Sequence, residues 1–120
     1  MYNDLEIFLG GGNIIDLQLT AEDADTGVVA PLTAPQMAMI TGCKLSLDGT
    51  VIDSAAVGLG ADQPFDHVTK AADGVLSIDM GGQALSPKAY RVCLLSVKFS
   101  NATRPKIINL RRKAIVYPAI

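Results

Sequence analysis

Tryptophan is absent from this chain, histidine occurs once and cysteine twice, and tyrosine and phenylalanine occur three times each. With one histidine, His67, and two cysteines fifty residues apart, Cys43 and Cys93, the paired ligand spacing of a zinc site does not exist. A Ser-His-Asp or Cys-His relay would have to run through His67, which sits in the polar stretch Pro64-Phe65-Asp66-His67 and reads as a solvated loop residue. The sequence therefore predicts no catalytic site, no metal and no cofactor. Without a tryptophan to pack on an inter-sheet disulfide, the two cysteines read as small buried hydrophobes that stay reduced.

An excess of positive charge is also missing. Ten Lys and Arg against twelve Asp and Glu leave a net charge of −2, so no whole-chain field gathers phosphates and no specific nucleic-acid binding is expected. Long apolar runs are lacking too: none approaches the roughly 20 residues of a membrane-crossing helix, so no membrane partner is expected. The start carries Asp4 and Glu6 where a secretory leader would be basic, and its apolar run is broken by Gly10-Gly11-Gly12. These features predict a soluble protein made in a cytoplasm.

What is present is apolar. Hydrophobic residues make up 49% of the chain and charged ones only 18%, which excludes disorder and leaves little charge to cover a monomer. At 120 residues one core is feasible, with roughly two-thirds of the unfolded surface buried. Some of the apolar excess is expected to lie against other subunits.

The apolar residues alternate, as strands with one dry face do. Ile15, Leu17 and Leu19 oppose Asp16, Gln18 and Thr20; Met37, Met39, Thr41, Cys43, Leu45 and Leu47 oppose Lys44, Ser46 and Asp48; Leu76, Ile78 and Met80 oppose Ser77 and Asp79. Asp48-Gly49 marks a tight hairpin returning through residues 50–54. Residues 89–99 read as one strand apolar on both sides, hence central or beneath a partner, with Tyr90, Val92 and Leu94 on one face and Cys93, Leu95, Val97 and Phe99 on the other. Two short strands follow at 106–110 and 113–117. Residues 58–73 form a long loop with room for one helical turn. Seven or eight short strands separated by turns predict an all-β sandwich with no helix longer than two turns.

Three further features call for a reading. Glu22, Asp23 and Asp25 precede Gly27 without a calcium-loop spacing and read as a solvated turn. Gly10-Gly11-Gly12 lacks the Lys-Ser or Lys-Thr of a phosphate loop and reads as a hinge, dividing an N-terminal arm at 1–12 from a domain at 13–120. The strand Leu5–Leu9 in that arm can pair in the sheet or reach a neighbour, which makes Leu5, Ile7 and Leu9 candidate contact residues. Arg104, Lys106, Arg111, Arg112 and Lys113 hold half of the basic residues. On a strand, neighbouring residues point to opposite faces, so this run reads as a solvated, charge-protected edge, with Arg111, Arg112 and Lys113 as candidate contacts to an acidic partner or a nucleic-acid backbone.

The segments Ile40–Ser54, Pro64-Phe65-Asp66, Asp73–Met80 and Ala89-Tyr90-Arg91-Val92 together resemble small immunoglobulin-like proteins of tailed phages and prophages, including the N-terminal domains of baseplate and tail components. The likeness covers about residues 14 to 118. It departs at Lys88-Ala89, where such domains often carry a glycine before the tyrosine, and in the Arg-rich end. The resemblance implies an immunoglobulin-like antiparallel β-sandwich serving as a virion structural or assembly part, found in the virion or in the host cytoplasm before assembly. Its partners would be further copies of itself and other phage structural proteins. The alternative is a monomeric binding module that presents Phe65 and His67 of the 58–73 loop to a carbohydrate or protein.

Overall fold

The computed structural model describes residues 5–9, 13–80, 85–109 and 114–117, and most of their ordered structure is strand. First come β1 (Leu5–Phe8), β2 (Ile14–Gln18) and a small hairpin of β3 (Thr20–Glu22) and β4 (Val29–Pro31). A helical turn α1 (Ala34–Met37) leads into β5 (Ile40–Leu47) and its hairpin partner β6 (Thr50–Asp53). A second turn α2 (Ser54–Val57), the two-residue β7 (Phe65–Asp66) and a 3-10 turn at Ala71–Asp73 precede β8 (Val75–Asp79). Then follow β9 (Ala89–Tyr90), β10 (Cys93–Phe99), β11 (Lys106–Asn109) and β12 (Ala114–Tyr117).

Among the described residues the strands form four sheets: β2-β8-β7 is one layer and β11-β10-β5-β6 the other, with β1-β12-β9 and the hairpin β3-β4 as separate sheets. All pairings are antiparallel except β1 beside β12, which is parallel with Leu5 opposite Ala114 and Phe8 opposite Tyr117. Phe65, Leu76 and Ile78 from the first layer meet Leu45, Leu47, Leu95 and Val97 from the second in one hydrophobic cluster. The fold is all-β and sandwich-like. Its strands number twelve among the described residues rather than seven or eight. The surplus arises because β9 and β10 are one stretch divided at Arg91-Val92, β7 is a short strand within the segment read as a loop, and β3–β4 is an added hairpin.

Local chemistry explains most of these elements. In β8, Leu76 and Ile78 are buried while Val75, Ser77 and Asp79 are half-buried, the period of two that the sequence shows. The β5–β6 turn places Asp48 at φ 49° and Gly49 at φ 89°, the left-handed pair of a primed hairpin turn. Asp48 has a second task. Its carboxylate accepts from the backbone N–H of Arg91 at 2.8 Å and of Val92 at 2.7 Å, and its own N–H donates to the Val92 carbonyl at 3.0 Å. Those groups lose their ladder partners where β9 breaks from β10, so the turn satisfies the break. The same two N–H groups hold the Asp48 carboxyl below the usual carboxylate range.

Gly74 is the tightest backbone approach. It lies at φ 68°, and a Cβ there would stand 2.8 Å from the Leu32 carbonyl oxygen and 2.9 Å from the Leu32 nitrogen. Around it the Leu19 N–H donates to the Gly74 carbonyl and the Leu32 N–H to the Leu19 carbonyl, tying β2, the end of β4 and the start of β8 together.

Two strand assignments need correction. The alternation that runs from Cys43 to Leu47 does not extend back to Met37: Met37 belongs to α1, whose turn is closed by a capping box in which Thr33 and Gln36 bond reciprocally. Between them, Phe99 lies opposite Ile40 and Lys98 opposite Gly42, so Thr41 is an extra residue in a bulge. Thr41 is therefore exposed and donates from Oγ1 to the Lys98 carbonyl, while Ile40 and Cys43 both point inward. The stretch 89–99 is likewise not continuous. The break at 91–92 lets Tyr90 and Cys93 both face the core and leaves Val92 outside. The central position read for this segment holds, since β10 lies between β11 and β5.

Candidate interaction surfaces

Of the residues singled out in the sequence, those of the N-terminal strand are used inside the molecule. Ile7 is fully buried in the common core, and Leu9 packs against it. β1 reaches this place by lying along β12, and the Leu9 N–H donates to the Tyr117 carbonyl at 3.2 Å. Leu5 takes part through its backbone pairing with Ala114. Arg111, Arg112, Lys113 and the glycines 10–12 lie outside the described residues.

The 58–73 segment does not present Phe65 and His67. Phe65 is fully buried, opposite Ile78 in the β7–β8 pair, and its backbone exchanges bonds with Gly58 and Gly60. His67 is only 8% exposed, contrary to the solvated reading, and its Nδ1 has no hydrogen-bond partner. Burial lowers the His67 pKa, and the neighbouring Asp66 carboxylate opposes that only in part. The physical reason for the ordered loop is Asp66. Its carboxylate accepts from the Val68 and Thr69 N–H groups at 2.9 and 3.0 Å, from the Thr69 hydroxyl at 2.5 Å and from the Asp62 N–H at 3.3 Å. Burial alone would raise the Asp66 pKa, but these four donors outweigh it and bring it to about 2.

Beside that loop, Lys70 Nζ donates to Asp16 at 2.5 Å and the Ser77 hydroxyl to the other Asp16 oxygen at 2.6 Å. The Lys70 bond is the main cause of the lowered Asp16 pKa, followed by that of Ser77. Asp62, Asp66 and Asp79 line the same shallow cleft, yet no three Asp, Glu, His or Cys side chains converge as metal ligands among the described residues. The Glu22–Gly27 segment is a hairpin turn, as read, in which Asp23 accepts from the N–H groups of Asp25 and Thr26.

Cys43 and Cys93 are both buried and free. Cys43 stands opposite Val97 and Cys93 opposite Leu47, so they are offset by four residues on adjacent strands. That is about 13 Å at a strand's rise, well beyond the ~7 Å that a disulfide can span. Burial pushes the Cys43 thiol up to about 12 and also raises Cys93, to which the Asp48 charge adds.

Two surfaces remain open, and sequence reading found neither as a surface. The first is the outer face of β11-β10-β5-β6. Ile107 (66% exposed), Val51 (55%) and Val92 (53%) lie on or beside it, with the half-buried Leu94 in the row Leu94–Ser46–Val51. The Lys44–Asp53 ion pair at 3.6 Å is its main charge feature. The second is an apolar cleft of about 220 Å³ between β2–β3 and β10–β11, lined by Leu19, Leu32, Val97, Phe99 and Ile108 with Lys106 at its rim. The signal for the first was available: Ile107, Val51 and Leu94 fall on the opposite parity to the core residues of their strands. The cleft depends on which strands are edges, and that is a long-range property.

No known family model matches this chain, and no curated protein and no solved structure shows significant similarity to it. Among the described residues, no helix is long and apolar enough to cross a membrane.

Proposed function

We propose that this chain is a structural assembly module without catalytic chemistry, a virion part of a tailed phage or prophage that works through contacts between copies of itself and with other structural proteins. The observation that carries the reading is the uncovered apolar outer face bearing Val51, Val92, Leu94 and Ile107. On a chain with only 18% charged residues, an apolar sheet face of this kind suits a subunit contact, because monomers seldom leave such patches in water. The immunoglobulin-like form of the sandwich draws support from connectivity. β2 pairs β8, β8 pairs β7, β5 pairs β10 and β6, and β10 pairs β11, the pairing of a Greek-key sandwich of that class. The Tyr90 hydroxyl also donates to the Ser86 carbonyl at 3.3 Å and accepts from the Ser86 N–H at 3.1 Å, which is the geometry of a tyrosine corner.

The phage assignment rests on the sequence resemblance. A binding module built on Phe65 and His67 has less support, since both side chains are buried. Light scattering on the intact protein tests the assembly reading. An oligomer is expected, reduced to monomer by Val51→Lys combined with Ile107→Lys at unchanged secondary structure. A monomer for the unaltered chain at all accessible concentrations would overturn self-association.

A further inference from the structure

We infer that the cleft between β2 and β11 is a receptor for an extended, acidic segment of a partner protein, which adds as a strand along the free edge of β11. This goes beyond self-association through the outer face and concerns a different surface. Among the described residues, β2 is an outer strand of its sheet and β11 of the other, and neither has a neighbour on its outward side. Both edges flank one side of the sandwich, and the cleft runs between them, with a second hollow continuing it along Leu17 and Leu95. Unpaired strand N–H and C=O groups beside an apolar trough are what a strand-adding peptide uses: main-chain bonds to the edge, and alternate side chains into the trough.

The molecule itself shows an extended segment completing a strand. β12, which follows β11 in the chain, is completed by β1, an extended segment of alternating pattern whose Ile7 inserts fully into the core. β11 has no such second partner among the described residues. Four residues of β11 span about 13 Å, so a guest of five or six residues fills the site.

Charge selects the partner. Among the described residues Lys106 is the one charged side chain lining either hollow, and Arg104 precedes it on the exposed approach to β11. Half of the chain's Lys and Arg lie within residues 104–113. Pairing two β11 edges would bring Arg104 and Lys106 of both copies to one seam, so a second copy is disfavoured here, whereas acidic side chains between the guest's apolar positions meet complementary charge.

The test is a random twelve-residue peptide library selected on the intact protein, with the enriched peptides synthesised and titrated. The expected winners alternate apolar and polar residues and carry net negative charge. They shift the amide resonances of β2 and β11, lose binding when a central residue is replaced by proline, and bind Lys106→Glu about tenfold more weakly. Lys106 is exposed, so the substituted protein keeps its fold. Absence of any peptide below about 100 µM, winners without acidic character, or shifts confined to other surfaces would overturn the inference. Loss of those shifts on dilution of the protein alone would reassign the edge to self-pairing and overturn it as well. The self-association of the outer face is read separately by light scattering and does not depend on Lys106.

Discussion

The strands β11 and β12 lie close together in the chain and have opposite fates. β12 is flanked on both sides, by β1 and β9, and Ala114 and Val116 are buried. Among the described residues β11 has β10 on one side only, and Ile107 is 66% exposed. The difference is one four-residue segment, β1, that the N-terminal region supplies to one and not to the other. Covering an edge removes unpaired backbone and buries apolar side chains, so β12 contributes to stability on both sides while β11 keeps one unpaired edge among the described residues.

Removing the closure is expected to have the largest effect. Ile7→Ala leaves a cavity in the common core and should cost about 2–5 kcal/mol of unfolding free energy, measured by urea denaturation. Ile107→Lys, on the open strand, should change monomer stability by less than about 0.5 kcal/mol. Equal effects from the two would erase the distinction. Next in size is Gly74→Ala, which places a Cβ against the Leu32 backbone at a left-handed φ and should cost more than about 1 kcal/mol. A neutral result would show that β2, β4 and β8 are not joined at that point.

Acid should act on the ordered 58–73 loop in two windows. The folded His67 pKa is lowered relative to its unfolded value near 6.5, so the unfolded state binds the proton more readily and stability falls as pH drops below about 6.5. Asp66 is held at about 2, against roughly 3.9 when unfolded, so its contribution is complete above about 4 and disappears as pH falls toward 2. Thermal midpoints across pH 7 to 3 should show both losses, and His67→Phe should flatten the upper one. A smaller test concerns the thiols. Cys43 and Cys93 should react with a thiol reagent at pH 8 only after unfolding, and mild oxidation should give no intramolecular crosslink, because both are buried and offset along their strands.

The open and closed halves also differ in how legible they are in sequence. The alternation at Leu76–Met80, the Asp48-Gly49 hairpin and the strands at 106–109 and 114–117 follow from local pattern, and each stands in the structure. The Thr41 bulge does not, because one inserted residue resets a period of two without changing composition. The capping box at Thr33 and Gln36 was visible as Thr-x-x-Gln, but the apparent alternation of Met37 and Met39 hid it. Burial of His67 was not legible, because it depends on β7 pairing Phe65 with Ile78 and Asp66 with Ser77 of a later strand, whereas the four donors to Asp66 come from Asp62, Val68 and Thr69 within the loop itself. Which half of the sandwich's last edge is covered is settled by pairing between residues over a hundred positions apart, Leu5 with Ala114.

Amide hydrogen exchange on the intact protein at low concentration tests that pairing most directly. The account predicts that the β12 amides of residues 114–117 exchange only through global unfolding, while the outward-facing amides of β11 exchange faster by orders of magnitude. Equal, strong protection along both strands in the monomer would mean that β11 is already covered by the chain itself, and the open edge on which the partner surface rests would not exist.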